Sequence, residues 1–260
     1  MDFVRSSYLS AVRIITLMMM VKEKSLLPIS IVLILFHFNL VVERPRSLRV
    51  DVNSNKIFVI ERGLQSIVNL FDADGDGILD SKQTVAFVLG LNHGLALHGG
   101  YIYASSDTTV YRWPLYDIDN DGNNATNHQP YEYPLGNEEV VVNNINQDGM
   151  GGAPQGHTTR TLEFDDDSGM LYVSVGSNNN VDINSYRSRI RRLNVSDPNV
   201  TFPQDFQTME VFADGLRNEV GLAFDRHGVL WGVENSADNL KRNDLGGDIH
   251  QDNVSDVYDR

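Results

Sequence analysis

The sequence predicts an all-β fold of the β-propeller class, and two observations lead to this prediction. A strand–turn–strand pattern occurs four times, at residues 47–63, 94–106, 161–177 and 221–235. Each copy begins with an alternating strand, passes through a polar turn and ends with a second apolar strand, which is the pattern of a β-hairpin. No stretch between the copies has a sustained helical period, so parallel βαβ units are not expected.

The spacing of the copies is that of propeller blades. The leucines that begin them, Leu48, Leu95, Leu162 and Leu222, are 47, 67 and 60 residues apart. Blades of about 40–50 residues with loop insertions produce such spacing. The remaining strands of the blades are predicted at residues 66–71, 84–89, 109–113, 190–193 and 207–212.

Composition narrows the classes of partner. The chain has 260 residues, no cysteine and a formal net charge of −14, with 35 acidic and 21 basic side chains. The missing cysteines exclude disulfides and zinc–thiolate sites. Because nucleic acids and anionic lipids bind basic surfaces, an acidic surface disfavours them and suits divalent cations and neutral ligands such as sugars.

The first 40 residues form an apolar N-terminal segment that precedes the predicted propeller domain, residues 41–260. Its longest apolar run, residues 26–38, follows Lys22 and Lys24. The run is shorter than the ~20 residues of a membrane span. A signal sequence, a membrane anchor and a leading β-strand all remain open. Four N-glycosylation sequons, at Asn124, Asn194, Asn199 and Asn253, favour a secreted or membrane-anchored extracytoplasmic protein.

Three stretches carry a resemblance to a known family. Residues 92–113, 156–192 and 212–253, with the strings HTTR and GLRNEVGLAF, look like L-sorbosone and pyranose dehydrogenases. These are soluble sugar dehydrogenases that depend on pyrroloquinoline quinone (PQQ), as glucose dehydrogenase does. The resemblance covers about residues 44–253. It implies a six-bladed quinoprotein propeller, of which about four blades are present in this sequence, so the chain is expected to be C-terminally truncated.

The resemblance also implies the chemistry. Enzymes of this family oxidise the C1 hydroxyl of a sugar with PQQ and Ca²⁺, and pass the electrons to a cytochrome or another acceptor. His157 matches the family's general base, and histidine is the side chain whose ordinary pKa lies near working pH. Arg217 and Asn218 match a pair that contacts PQQ, for whose carboxylates arginine is a natural partner.

Further site residues follow from the same resemblance. Arg160 comes shortly after the base, and Asn92 and His93 precede the second hairpin, so all three are expected near the cofactor or the substrate. His93 as a buried, hydrogen-bonded histidine is an equal alternative. Main-chain carbonyls of Ser236 and Ala237 would bind the calcium of PQQ. Relatives often have Gly-Pro at these two positions, and Ser177-Asn178 replaces the family's acidic sugar contact, so sugar preference does not carry over.

A second calcium signal comes from the residues alone. Asp72, Asp74, Asp76 and Asp80 occupy positions 1, 3, 5 and 9 of a calcium-loop pattern, with glycine at position 6. Position 12 is Gln83, and strands flank the loop, so a calcium-bound loop between blade strands is expected rather than an EF-hand. Residues 117–121 are a weaker second example. The alternative for both is a solvated acidic turn.

Three functions are compatible with these patterns. The first is the PQQ- and calcium-dependent sugar dehydrogenase, favoured by His157, Arg217 and Asn218. The second is a non-catalytic secreted propeller that binds glycan or protein, favoured by the missing final blades. The third is a calcium-dependent lactonase, for which Glu234 is the one candidate ligand.

Overall fold

The computed structural model describes residues 42–52, 54–115, 132–145, 156–182 and 187–235, together with the backbone of residues 241–242, 247–248 and 255–258. The predicted N-terminal segment, residues 1–40, lies outside the described residues. Among the residues described, no helix combines the length and the apolar character that a membrane crossing requires.

The first two sheets are four-stranded antiparallel meanders, and the second gains a fifth, parallel strand from a later part of the chain. The first consists of β1 (Pro45–Asp51), β2 (Lys56–Glu61), β3 (Ser66–Phe71) and β4 (Ser81–Phe87). The second consists of β5 (Leu95–His98), β6 (Tyr101–Ser105), β7 (Val110–Pro114), β8 (Glu139–Asn143) and the short β12 (Gln204–Asp205).

The third sheet follows the same plan, and the fourth has three antiparallel strands within the described residues. The third consists of β9 (Leu162–Asp165), β10 (Met170–Val175), β11 (Arg189–Asn194) and β13 (Glu210–Asp214). The fourth consists of β14 (Glu219–Phe224), β15 (Leu230–Glu234) and β18 (Ser255–Tyr258), and a separate two-stranded ribbon joins β16 (Lys241–Arg242) to β17 (Gly247–Asp248). Each of the four larger sheets is one blade, and the blades are numbered one to four in chain order.

All four predicted hairpins are present, as the pairs β1–β2, β5–β6, β9–β10 and β14–β15. Their turns each contain a residue with positive φ: Asn55, Gly99, Gly169 and Gly228. Glycine and asparagine are the residues that adopt this conformation at least cost. The polar turns read from the sequence therefore fix where each inner hairpin reverses.

Two of the other strand predictions need correction. The strand predicted at residues 84–89 is β4, Ser81–Phe87, so it begins earlier. The strand predicted at residues 207–212 is wrong at its start, because Phe206–Thr208 form a short 3₁₀ helix and β13 begins at Glu210. The Asp205 side chain accepts a hydrogen bond from Gln207 N and so starts this helix.

Alternation along the second strand of each hairpin packs the blades side by side. In β6, Ile102 and Ala104 face blade one, whereas Tyr103 lies in the cluster shared with blade three. In β10, Leu171 and Val173 face blade two and Tyr172 packs with Leu222 of blade four. Since successive side chains of a strand point to opposite faces, every middle blade has two buried faces.

The first strands of the blades form the inner surface of the arrangement. Strand β1 contacts β5, β5 contacts β9, and β9 contacts β14. Blades that meet in succession along their first strands are the arrangement of a β-propeller. The all-β propeller prediction, with about four blades in the described chain, is confirmed. The segments that precede these inner strands consequently meet at one end of the molecule.

Candidate functional site

Hydrogen bonds join the segments that precede the inner strands of blades two and three to each other and to the beginning of β14 in blade four. Asn92 Nδ2 donates to Thr158 O at 3.0 Å, and His93 Nε2 lies 3.1 Å from Val220 O. Thr161 Oγ1 donates to Glu219 O at 2.7 Å. The predicted site residues Asn92 and His93 are therefore joined to neighbours of the other predicted site residues, 66 and 127 positions away in sequence.

The His157 ring has a defined tautomer. Its Nδ1 lies 2.8 Å from Ser177 O and 3.1 Å from Ser177 Oγ, and its main-chain N also donates to Ser177 O. Because a carbonyl oxygen can only accept, Nδ1 carries the ring proton in the neutral imidazole. The ring's lone pair is then on Nε2, which is the form that a general base requires.

Arg160 stabilises the loop that carries His157, residues 156–161, which is called the His157 loop. Its side chain is completely buried, and its guanidinium donates to Asp107 O, His157 O and Thr159 O at 2.8–2.9 Å. Burial lowers the pKa of Arg160 to about 10, so the group stays cationic at neutral pH. Arg160 thus stabilises the His157 loop, and its contact with the cofactor stays a prediction.

The Arg217–Asn218 segment is fixed by the end of the fourth hairpin. Glu234 Oε1 accepts hydrogen bonds from the main-chain N–H groups of both residues, and Arg217 Nη1 donates to Asn235 O at 2.9 Å. Glu234, the candidate lactonase ligand, thus holds a loop in place. Asn218 Oδ1 accepts from Thr159 Oγ1 at 3.3 Å, which links this segment to the His157 loop.

Asn92 and His93 offer two buried acceptor atoms. Asn92 Oδ1 and His93 Nδ1 have no hydrogen-bond partner within the part of the chain that the structure describes. Burial is the main cause that lowers the pKa of His93 to about 4, so this ring is neutral above that pH. Since its Nε2 donates to Val220 O, its Nδ1 can only accept. Buried acceptors without partners are costly, and ligand hydroxyl groups would satisfy them.

Three of the four predicted calcium-loop aspartates converge. Carboxylate oxygens of Asp72, Asp74 and Asp76 lie within 4.8 Å of one another in the turn between β3 and β4. Asp80 is not in this group, and its Oδ1 accepts from Ala73 N at 3.0 Å. Backbone N–H donors, Gly77 first, lower the pKa of Asp72. The turn is thereby shaped as an acidic cradle on the outside of blade one.

Some predicted positions lie outside the described residues. These are the carbonyl ligands Ser236 and Ala237 and the second acidic loop at residues 117–121. The structure also shows two contacts that the sequence did not predict. The Ser177 carbonyl accepts a hydrogen bond from His157 Nδ1, and the Ser177 N–H donates to Arg217 O at 2.7 Å. Gly176 precedes Ser177, and no sequence motif indicates that it lies between the His157 loop and the Arg217–Asn218 segment.

Comparison with characterised proteins gives curated relatives of one kind. A PQQ-dependent pyranose dehydrogenase of Coprinopsis cinerea is 31% identical over 226 residues, which are 82% of this chain and 28% of the relative. A PQQ-dependent sugar dehydrogenase of Hypocrea jecorina is 33% identical over 222 residues, 80% of this chain and 46% of the relative. The chain thus spans less than half the length of these curated relatives.

Solved structures agree with the fold described above. The calcium structure of a Trichoderma reesei enzyme of carbohydrate-active family AA12 has a TM-score of 0.60 at 30% identity, over 82% of this chain and 51% of that chain. The holo form of the Coprinopsis cinerea pyranose dehydrogenase PQQ domain has a TM-score of 0.62 at 27% identity, over 84% of this chain and 51% of that chain. The TrAA12-like family model matches residues 36–258, and the chain belongs to this family.

Proposed function

We propose that this chain provides the catalytic part of a PQQ-dependent sugar dehydrogenase. The observation that carries the proposal is the His157 ring, whose Nδ1–H is bound to Ser177 O and whose lone pair is therefore on Nε2. This ring stands in a loop that is hydrogen-bonded to the Arg217–Asn218 segment. Relatives named as PQQ-dependent pyranose and sugar dehydrogenases support the same assignment.

The residues at the joined segments fit PQQ and a sugar. Arg217, which is half-buried, and Asn218 supply a cation and an amide for the carboxylates of PQQ. Asn92 Oδ1 and His93 Nδ1 are buried acceptors that hydroxyl groups would satisfy. When bound, PQQ supplies a two-electron acceptor, which no amino-acid side chain provides. His157 Nε2 takes the proton of the C1 hydroxyl while Ser177 O keeps the ring in its working tautomer.

Two calcium ions are part of the proposal. One belongs to PQQ, with the carbonyls of Ser236 and Ala237 as its expected ligands. The other binds the acidic cradle, where Asp72, Asp74 and Asp76 bring three carboxylates within 4.8 Å. A divalent cation would neutralise their mutual repulsion, and Ca²⁺ prefers such oxygen ligands.

We further propose a secreted or membrane-anchored protein that passes electrons from the sugar to a cytochrome or another acceptor. The support for secretion is the four sequons, and the acidic net charge of −14 disfavours nucleic acid as a partner. Expression in a secretory host followed by deglycosylation tests the route: an unchanged mass at Asn199, which is exposed, would argue against it.

Reconstitution tests the proposed activity. The protein is mixed with PQQ and Ca²⁺, and the thermal midpoint, the PQQ absorbance and the reduction of an artificial acceptor dye by aldoses are recorded. We expect stabilisation by PQQ and a sugar-dependent change in absorbance. No stabilisation and no absorbance change would refute the quinoprotein assignment, and glycan binding without oxidation would favour the non-catalytic propeller.

A matched pair of arginine variants tests the cofactor site. Arg217→Ala removes a cation expected to bind PQQ, whereas Arg226→Ala removes an exposed cation in the turn between β14 and β15. A charge-assisted hydrogen bond is worth about 1.5–3 kcal/mol, so we expect half-saturation by PQQ to rise by about 10- to 100-fold for Arg217→Ala. Arg226→Ala should match the wild type. Equal effects of the two substitutions would remove Arg217 from the site.

A further inference from the structure

Gly176 lies where the two loops of the candidate site meet. It directly follows β10, and its backbone is not in the left-handed region. A Cβ atom built on it would lie 2.6 Å from His157 Cβ, 2.8 Å from Arg217 O and 3.3 Å from Asn218 Oδ1. All three neighbours belong to residues proposed for the site.

These distances leave no room for a side chain. Cβ atoms essentially never come within 3.0 Å of a non-bonded heavy atom outside their own residue and its chain neighbours. The first two neighbours are a Cβ and a main-chain oxygen, which cannot rotate away as the end of a flexible side chain would. Because an alanine could adopt the backbone conformation of Gly176, the requirement at this position is for space and not for glycine's conformational freedom.

The neighbour Ser177 shows what a displacement would change. Ser177 O accepts from His157 Nδ1, and Ser177 N donates to Arg217 O at 2.7 Å. Both bonds form immediately beside Gly176. A methyl group there would push the His157 loop away from the Arg217 carbonyl and stretch the bonds that set the His157 tautomer.

We infer that Gly176 is a positioning residue: its missing side chain lets the His157 loop and the Arg217–Asn218 segment close on one another. The distances support the approach of the two segments at Gly176, and the expected effect on catalysis rests on the proposed function. Gly94 provides a contrast, since a Cβ there would meet Arg160 O at 2.2 Å, Leu162 Cγ at 2.6 Å and Ser105 Oγ at 2.6 Å. That glycine allows β5 to pack on β9, whereas Gly176 allows the proposed site residues His157 and Arg217 to approach each other.

Gly176→Ala and Gly221→Ala form a matched pair for the test. Gly221 lies in β14, and a Cβ there would meet Val233 Cβ at 3.8 Å, an ordinary contact. After reconstitution with PQQ and Ca²⁺, we expect Gly176→Ala to lower kcat about 100-fold, because small displacements of reacting groups have effects of this size. KM for the sugar should change much less than kcat. Gly221→Ala should stay within twofold of the wild type in both constants.

A second readout needs no PQQ. With ¹⁵N-labelled histidine, the ring signals of His157, assigned by their loss in His157→Ala, report the tautomer. We expect the Nδ1–H form in the wild type and in Gly221→Ala, and a mixture of tautomers in Gly176→Ala. Gly176→Ala with wild-type ring signals and wild-type kcat would overturn the inference.

The wild-type protein alone keeps the inference testable if Gly176→Ala does not fold. A nuclear Overhauser effect between the Gly176 Hα and His157 Hβ protons is expected from their packing. Its absence, or an Nε2–H tautomer, would overturn the inference. If these signals are as expected and no sugar is oxidised, the proposed function fails while the positioning of His157 by Gly176 stands.

Discussion

The His157 site and the acidic cradle are built in opposite ways. His157 is held by Ser177, 20 residues away, and its loop is joined to Asn92 and Asn218 at separations of 66 and 59 residues. In the cradle, Asp72, Asp74 and Asp76 bond to backbone N–H groups two to five residues away. The first site exists only when three blades are assembled, whereas the second is shaped by one turn.

The two regions therefore depend on different parts of the fold. A site whose contacts cross blades is lost with any change that moves one blade against another. A turn closed by its own side chains keeps its shape as long as β3 and β4 remain paired. We therefore expect mutations at the His157 site to act on the reaction, and mutations in the cradle to act on the stability of blade one.

The largest expected effect is at His157. His157→Gln keeps a polar side chain of similar size and removes the base, so we expect kcat for sugar oxidation to fall by about 10²- to 10⁴-fold. His98→Gln is the control, because His98 stacks on Phe164 and lies beside Asp166 at the opposite end of β5. Rates would be followed by dye reduction under saturating PQQ. Retention of more than a tenth of the wild-type kcat would rule out His157 as the base.

The same contrast explains how much could be read from the sequence. Hairpins and the acidic turn depend on neighbours in the chain, so their apolar alternation and turn residues predicted them well. Strand ends such as Gln207 were misplaced because the side chain of Asp205 starts a 3₁₀ helix there. The cofactor contact predicted for Arg160 depends on its spacing to His157, whereas its burial against Asp107 O is a property of the assembled blades that the sequence does not display.

The roles of Gly176 and Ser177 could not be predicted for the same reason. A glycine next to a strand end has many local explanations, and its proximity to His157 Cβ and Arg217 O arises from residues about 19 and 41 positions away. The resemblance suggested that an acidic residue had been lost at Ser177-Asn178. The structure adds a different role for this position, because the main-chain carbonyl of Ser177 accepts a hydrogen bond from the His157 ring.

Ser177→Asp places a carboxylate beside the His157 ring. Ser177 is buried, and its Oγ lies 3.1 Å from His157 Nδ1. A carboxylate there would stabilise the imidazolium form of His157, so a larger fraction of the ring would be protonated at a given pH and unable to act as a base. We expect the acid limb of the kcat/KM profile to move up by about one pH unit. Asn178→Asp, which adds the same charge one residue further on, should move it much less.

The smallest effect is expected in the cradle, where calcium should change stability and leave the reaction unchanged. Binding at about 100 times the dissociation constant stabilises a folded unit by ~2.7 kcal/mol, so Ca²⁺ should raise the thermal midpoint by on the order of 5 °C. Asp76→Asn keeps an oxygen that can accept from Ile78 N, yet it removes one charge of the cluster. This variant should lose most of the calcium-dependent shift.

Asp80→Asn is the control for the cradle, since Asp80 bonds to Ala73 N and is not one of the clustered carboxylates. It should keep most of the shift, and Mg²⁺ should not replace Ca²⁺ in either protein, because Mg²⁺ demands a more regular set of ligands. Equal calcium shifts in Asp76→Asn and the wild type would mean that the cradle is a solvated acidic turn. If Asp76→Asn also lowered kcat at saturating PQQ and Ca²⁺, the separation between a local stabilising turn and a site assembled from three blades would be wrong.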